Sequence, residues 1–353
     1  MHARHADRMR RAILLGNPDT KRTIYLERAA EKEGLSFFLI DWRNWREHLD
    51  RFSGKELFVK IDPPLWTSCS LDTLDSLTGD YIDTLWALDK MIQERGIEFF
   101  NAPATIIELL DKVVCKRRLL KAGISVTESL VDAYVSEKNG FTVEQLFEQM
   151  KKRRIYQVFI KPVNGSGAAG VSALRIQPRT GRMVFYTCAL IHENGELVNT
   201  KRLRRFSEPE EILPLLEHLL RMDCIVERWY AKEEYQGYSY DLRAVFQEGE
   251  LDFLLGRLSS GPVTNLHLNN HPVEYKKLGL SEKKIDEIIL LCQRCVECYP
   301  GLRSVGIDIL LEKGSQVPRV IEMNSQGDLI YQDIFVKNKI YRHQAKIMKA
   351  CCL

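Results

Sequence analysis

Neither sign of charge dominates this chain. Its 51 basic and 48 acidic residues leave a net charge of +3 over 353 residues, which gives no basis for nucleic acid or an anionic membrane as the main partner. Long apolar runs are scarce as well. Behind Arg4, Arg8, Arg10 and Arg11 the first apolar stretch covers only residues 12–15, shorter than the core of a signal peptide and far shorter than a bilayer span. A cytoplasmic protein without membrane contact is therefore expected. No internal repeat or low-complexity linker interrupts the sequence, and its 45% hydrophobic and 28% charged content suits a soluble enzyme. Nine cysteines in such a chain are expected to be reduced thiols. Cys292, Cys295 and Cys298 have the spacing of cluster ligands, yet no fourth follows at ferredoxin spacing. Ser281 instead caps a predicted helix whose apolar stripe includes Ile285, Ile288, Ile289, Cys292, Cys295 and Val296, ended by Pro300 and Gly301.

The remaining patterns read as an α/β unit followed by mixed sheets. Residues 13–15, 37–40, 58–61 and 98–100 have the composition of strands, with helices at 23–32 and 84–95 between them. Residues 60–64, Lys-Ile-Asp-Pro-Pro, form a loop at a strand end, where open α/β sheets tend to bind ligands. A helix is predicted over 105–123 with Lys112 inside it, then strands at 158–163, 171–176, 182–188, 224–230, 241–247 and 250–257, with a helix at 209–221. Long hairpins after an α/β domain point to an α+β body that clamps something between lobes.

Three stretches carry chemistry. Residues 305–327, VGIDILLEKGSQVPRVIEMNSQG, read as a hairpin in which Asp308 sits on one strand and Glu322 and Asn324 share a face of the next. Hard oxygen ligands in that arrangement suit two magnesium ions; a solvated face with ordinary acids is the alternative. Residues 159–171 place Lys161 before a loop of Gly165, Ser166, Gly167 and Gly170, then another strand. Small residues let backbone amides approach an anion, and the lysine adds a fixed charge; without a following helix this is neither a P-loop nor a dinucleotide fingerprint, and a plain turn is the alternative. The buried strand at 225–230 carries Glu227, a potential acceptor for an exocyclic amine. The backbone of Trp229 and Tyr230 follows to read an adenine edge, and Glu234 to take ribose hydroxyls.

The order Lys112, Lys161, Glu227, Asp308, Glu322, Asn324 resembles the ATP-grasp superfamily over about residues 100–335. The Glu227 to Glu234 run is similar to the nucleotide contacts of D-alanine–D-alanine ligases. Asp241-Leu242-Arg243, Arg257 and Asn265-Leu266-His267 are closer to the RimK-type branch, which adds glutamate to a ribosomal protein. The resemblance implies an N-terminal pre-ATP-grasp, Rossmann-like α/β domain at 1–104. A central lobe with a glycine-rich lid follows at 105–226, then a C-terminal lobe with the metal site at 227–353. It also implies ATP and two Mg²⁺ ions as cofactors, Lys112 and Lys161 on the phosphates, and amide formation through an acyl phosphate. Arg243 and Arg257 are then candidates to stabilise that intermediate, their alternative being strand residues in ion pairs. Carboxylate and amine substrates, small molecules or peptides, are the implied partners, with homo-oligomers possible. Peptide side-chain crosslinking and a non-catalytic ATP-binding regulator are the other functions in view. One departure stands out: Ser325-Gln326-Gly327-Asp328-Leu329 replaces the small residue, proline and glycine usual after Glu-x-Asn in the RimK branch. Lys201, Arg202, Arg204 and Arg205 either face an acidic substrate or form a solvated cluster, and His267 is a candidate to assist proton removal from the amine.

Overall fold

In the computed structural model, residues 10–52, 56–131, 141–165, 169–268, 270–327, 335 and 337–353 are described. The first domain rests on strands apolar on both faces. β1 (Arg11–Gly16), β2 (Phe37–Asp41), β3 (Leu57–Ile61) and β4 (Glu98–Phe99) make a parallel sheet in the order β2-β1-β3-β4. Ile13, Leu14, Leu15, Phe58 and Val59 are fully buried, as a parallel sheet covered on both sides requires.

Helix α1 (Lys21–Glu33) begins where the Thr20 hydroxyl accepts from the Thr23 N–H and ends at Gly34, whose φ of 63° suits a residue without Cβ. After the short α2 (Trp45–Asp50), α3 (Leu71–Arg95) is capped by Ser70, so the helix begins well before residue 84, its expected start. Tyr81, Leu85 and Leu88 of α3 cover one face of the sheet. The other face is closed by α1 and by the C-terminal helix (Lys339–Cys352), whose Tyr341, Ala345 and Met348 pack against Leu14, Leu26 and Phe58. The expected C-terminal unit of 227–353 is thus not one packing body, because its last helix completes the first domain.

The predicted helix over 105–123 is two helices, α4 (Pro103–Leu110) and α5 (Lys112–Lys121). Asp111 is extended between them and its carboxylate accepts from the Val113 and Val114 N–H groups, so Lys112 opens α5 instead of lying within a longer helix. The second sheet contains β5 (Ser129–Val131), β6 (Gln157–Pro162), β7 (Ser172–Ile176), β8 (Met183–Ile191), β9 (Leu197–Phe206) and β10 (Cys224–Arg228), antiparallel in the order β5-β10-β6-β7-β8-β9. α6 (Val143–Lys152) and α7 (Pro209–Arg221) bury Leu146, Leu216 and Leu219 against Val158, Leu174 and Phe185.

The third sheet runs β14-β13-β12-β15-β16, with β11 (Glu234–Tyr235) beside β12 (Tyr238–Gln247). Its other members are β13 (Glu250–Ser259), β14 (His271–Glu274), β15 (Ser304–Leu311) and β16 (Pro318–Asn324). α8 (Glu282–Glu297) lies against it, with Cys292 and Cys295 buried beside Cys115, Leu119 and Ile307. Burial pushes the Cys292 thiol up to about 12, and no group of metal-binding side chains forms around these sulfurs among the described residues. Among those residues no helix is long and apolar enough to cross a membrane.

Met348 has no solvent exposure at the seam between the first sheet and the C-terminal helix. Met348→Ala is expected to cost about 2–5 kcal/mol, read as a lower midpoint in urea denaturation followed by circular dichroism.

Candidate active site

Strand alternation divides the third sheet into an apolar face and a charged one. Leu242, Ala244, Ile307 and Ile309 enter the core, which turns Asp241, Arg243, Arg257 and Asp308 the other way. Register aligns these charges in a row: Arg257 opposite Asp241, Arg243 opposite Asp308, and Asp308 opposite Glu322. Arg257 holds Asp241 with a fork of 2.7 and 2.9 Å and reaches Asp308 at 3.0 Å. Arg243 meets Asp308 at 2.5 Å through Nε and 3.2 Å through a terminal nitrogen. Both arginines therefore belong to a buried ion-pair chain, not to a surface strand. Gly306 and Gly327 make room for it, since a Cβ on either would lie 2.6 and 2.7 Å from an Arg243 nitrogen.

The hairpin forms as expected, with one slip. A bulge pairs Asp308 with Glu322 but Ile309 with Val320, so Ile321 has no partner of its own. Val320 consequently joins the core, and Ile321 lines the cleft beside Glu322, where simple alternation predicts Val320 on the Glu322 face. Asn324 lies opposite Gly306, accepts from the Gln326 N–H at 3.0 Å, and lines a smaller hollow together with Lys112, Gly165 and Glu322.

Facing this row across a cleft of about 820 Å³, open mouth included, stands a second charge cluster. Glu227 is 1% exposed. Its carboxylate accepts from Lys116 at 2.5 Å, Lys161 at 2.8 Å and the Thr127 hydroxyl at 2.9 Å. Burial works against the charge on Glu227, but Lys116 and Lys161 overcome it and hold its pKa down to about 2. For Lys161, burial is outweighed by Glu227 and Glu322, and its pKa is raised. Lys112 is shifted the opposite way, lowered by burial that Glu322 only partly offsets; its ammonium donates to the Gly165 carbonyl at 3.0 Å. Lys232 also lines the cleft; it donates to Thr264 at 2.8 Å and the Pro262 carbonyl at 3.3 Å, with Asp241 at 3.8 Å. Burial lowers its pKa to about 8 despite Asp241.

The sequence-predicted nucleotide residues are only partly brought together. Lys112, Lys161, Gly165, Glu227 and Tyr230 line the cleft with Asp308 and Glu322. Glu227 spends three of its roughly four acceptor positions on protein donors, so it is first of all the anchor of two lysines. Trp229 turns away: its N–H donates to the Gln157 carbonyl, its own carbonyl accepts from the Gln157 amide, and its ring packs on Phe159 and Tyr186 under Arg175. Glu234 is half exposed and pairs with Lys313 at 2.6 Å outside the cleft lining. Gly170, with φ of 68°, packs where a Cβ would meet Pro162 at 2.8 Å, and it does not line the cleft. Ser166, Gly167, Asp328 and Leu329 lie outside the described residues, as do the side chains of Lys201 and His267. Lys116, Thr127, Lys232 and Thr264 were not anticipated. The one available signal is that Lys116 follows Lys112 by four residues and so shares its helix face.

The unusual Ser-Gln-Gly ending has a structural use. Gln326 donates to the Ile61 carbonyl and accepts from the Tyr81 hydroxyl, and its own carbonyl accepts from Arg22 at 2.7 Å. Asn101 reinforces the seam, donating to the Ser304 and Ser325 carbonyls while accepting from the Arg303 and Ser304 N–H groups.

Buried valences left open define what the cleft can take. Glu322 has no hydrogen-bond or ion-pair partner among the described residues, whereas Asp308 Oδ1 already lies 2.5 Å from Arg243 Nε. A terminal nitrogen of Arg243 is buried without an acceptor. No three His, Cys, Asp or Glu side chains converge among the described residues, so a hard cation here needs Asn, water or phosphate oxygens to complete its shell.

No family model matches this sequence, and no curated protein matches it significantly. Solved structures do. The chain is similar to the D-cycloserine synthetase DcsG, with a TM-score of 0.61 at 13% identity over 96% of this chain and 100% of that one. It is similar to the ATP-grasp ligase PsnB complexed with the precursor peptide PsnA2 and AMPPNP, with a TM-score of 0.58 at 14% identity over 100% of both chains. A D-alanine–D-alanine ligase from Bacillus anthracis, complexed with ATP, gives a TM-score of 0.57 at 12% identity over 98% of this chain and 97% of that one. The chain has the ATP-grasp fold. Three sheets, of which the second and third line one charged cleft, are thus the α+β arrangement expected for it.

Removing the Glu227 charge leaves two buried ammonium groups facing each other. Glu227→Gln is expected to destabilise the ATP-grasp body by about 3–5 kcal/mol, measured by chemical denaturation, because an uncompensated buried charge costs more than the pair returns.

Proposed function

We propose that this chain is an ATP-dependent carboxylate–amine ligase that activates an acid as its acyl phosphate and releases ADP and phosphate. The observation that carries this is the register that sets Asp308 against both Glu322 and Arg243, facing Lys112 and Lys161 across one cleft. The unpaired Glu322 carboxylate suits Mg²⁺, with Asp308 opposite it and Asn324 beside it, and the open Arg243 donor suits a phosphate oxygen. Bound Mg²⁺ supplies charge neutralisation for the transferred phosphoryl group.

The chain's own residues supply position and charge. Lys161 is pinned by Glu227 and presents a permanent cation to the phosphates, while Lys112 projects from the start of α5 beside it. Arg243 and Arg257 keep their guanidiniums charged at any working pH, which suits an acyl phosphate and the tetrahedral species that follows. Attack by the acid's carboxylate breaks the γ-phosphate bond and expels ADP; attack by an amine on the acyl carbon then expels phosphate and yields the amide, with one proton lost from the amine. The order of motifs from Asp241 to Asn265 supports the RimK-type branch, and the Gln326 ending sets this chain apart within it. The neighbours crystallised with precursor peptides keep peptide modification in view for the same cleft.

Glu322→Ala is expected to abolish substrate-dependent ADP release while circular dichroism stays unchanged; undiminished turnover would remove Glu322 from the metal site. Lys232 gives a pH signature. Its lowered pKa of about 8 means that an incoming triphosphate stabilises the protonated form, so nucleotide affinity is expected to fall as pH rises through 8, with Lys112 adding to the same trend. Calorimetric titration of ATP between about pH 7 and 9.5 reads this, and Lys232→Met should flatten the slope.

A further inference from the structure

The basic run near residue 202 does not end as a solvated cluster on a strand face. β9 is the edge strand of the second sheet, and its first half is already paired outward: Asn199 donates to the Cys69 carbonyl at 2.7 Å, and Val198 bridges Ser70. Inward, Arg204 pairs with Thr187 but Asn199 with Ala189, so residues 200–203 oppose Cys188 alone. That expanded bulge leaves the sheet and crosses to the third lobe, where Leu203 lies against Gly261; a Cβ there would be 3.2 Å from the leucine. Between them runs a groove of about 1040 Å³, open mouth included. Arg202, Arg204 and Arg205 form one side; Ser259, Ser260 and Gly261 contribute to the other, and no carboxylate of the described residues lines it.

Two charges in this groove are unpaired. Arg204 donates to Thr200 at 2.6 Å, whereas Arg202 and Arg205 are exposed and have no ion pair among the described residues. The groove adjoins the cleft, because Val263 lines both and the neighbouring Thr264 bonds Asp241 and Lys232. A long trough with a basic wall, small residues opposite and a partly open sheet edge fits an extended anionic chain better than a compact anion.

We propose that this groove docks an extended acidic polypeptide segment, which presents one of its carboxylates to the neighbouring cleft. Docking itself needs only the groove; the presentation of a carboxylate for activation rests on the ligase assignment above. Arginine forks would hold successive Asp or Glu side chains, and the association should weaken with salt, as exposed charge pairing does.

The test uses the full chain without nucleotide and a fluorescein-labelled peptide of alternating glutamate and serine, about eight residues long, followed by anisotropy. Saturable binding is expected, lowered roughly tenfold or more in the Arg202→Glu/Arg205→Glu variant. A Lys151→Glu/Lys152→Glu variant, which changes net charge equally at a helix end remote in sequence, should bind as the parent does. Equal affinity in the groove variant, an equal loss in the helix variant, or undiminished binding of the glutamine version of the peptide would each overturn the docking site. So would an RNA octamer that binds the groove while the acidic peptide does not. ATP binding by calorimetry, run on the same samples, separates the two assignments: a groove variant that still binds ATP is folded, and a peptide that binds without prompting ADP release supports docking while counting against the ligase assignment.

Discussion

Two ammonium groups share one buried carboxylate at Glu227, and that contact joins the parts of this molecule that must act together. Lys116 comes from α5, whose Cys115 and Leu119 pack into the core of the third sheet; Lys161 comes from the second sheet, as does Glu227 itself. Taking three charges out of water is costly, and only tight pairing with the Thr127 hydroxyl as a further donor offsets the loss. The arrangement fixes Lys161 at the root of the small-residue loop with its charge secured, while Lys112, one helical turn before Lys116, donates to backbone carbonyls and has a weakened hold on its proton. One lysine is locked and one is left responsive, within a single wall.

The opposite wall works by register rather than by a single clamp. Antiparallel pairing brings Arg257, Asp241, Arg243, Asp308 and Glu322 from four strands into one row, each neighbour alternating or completing charge. The arginines hold both oxygens of Asp308 and neutralise it enough for it to be buried, while Glu322 opposite it has no partner among the described residues. Glycines at 306 and 327 are what let the Arg243 guanidinium lie flat across the strands. The salt-bridge network is incomplete: Glu322 and a terminal nitrogen of Arg243 have no partner among the described residues.

Much of this was legible in the sequence because it follows local rules. The hairpin of Asp308 and Glu322 shows in its period of two, and the helix around Cys292 shows in its stripe and its Ser281 cap. Expectations failed where one residue changes the count or where a partner lies far off in the chain. The bulge at Ile321 adds a single residue and sends Val320 to the core. β10 stops at Arg228, and beyond it Trp229 and Glu234 are taken by Gln157 and Lys313, partners that their spacing after Glu227 does not reveal. Asp111 splits a helix that periodicity alone runs together. β9 escaped notice because its basic residues obscure the strand pattern, and the C-terminal helix gives no local sign that its partner is a sheet built from the first hundred residues.

Gln326 and Asn101 stitch the tail of the β15–β16 hairpin to the strand ends of the first sheet through backbone groups on both sides. Such stitching works as a ruler. A group seated at the mouth of the first sheet, near Ile61, stays at one set span from Glu322 whatever the second sheet does, so the reach of any molecule bridging those two places is decided by its own length.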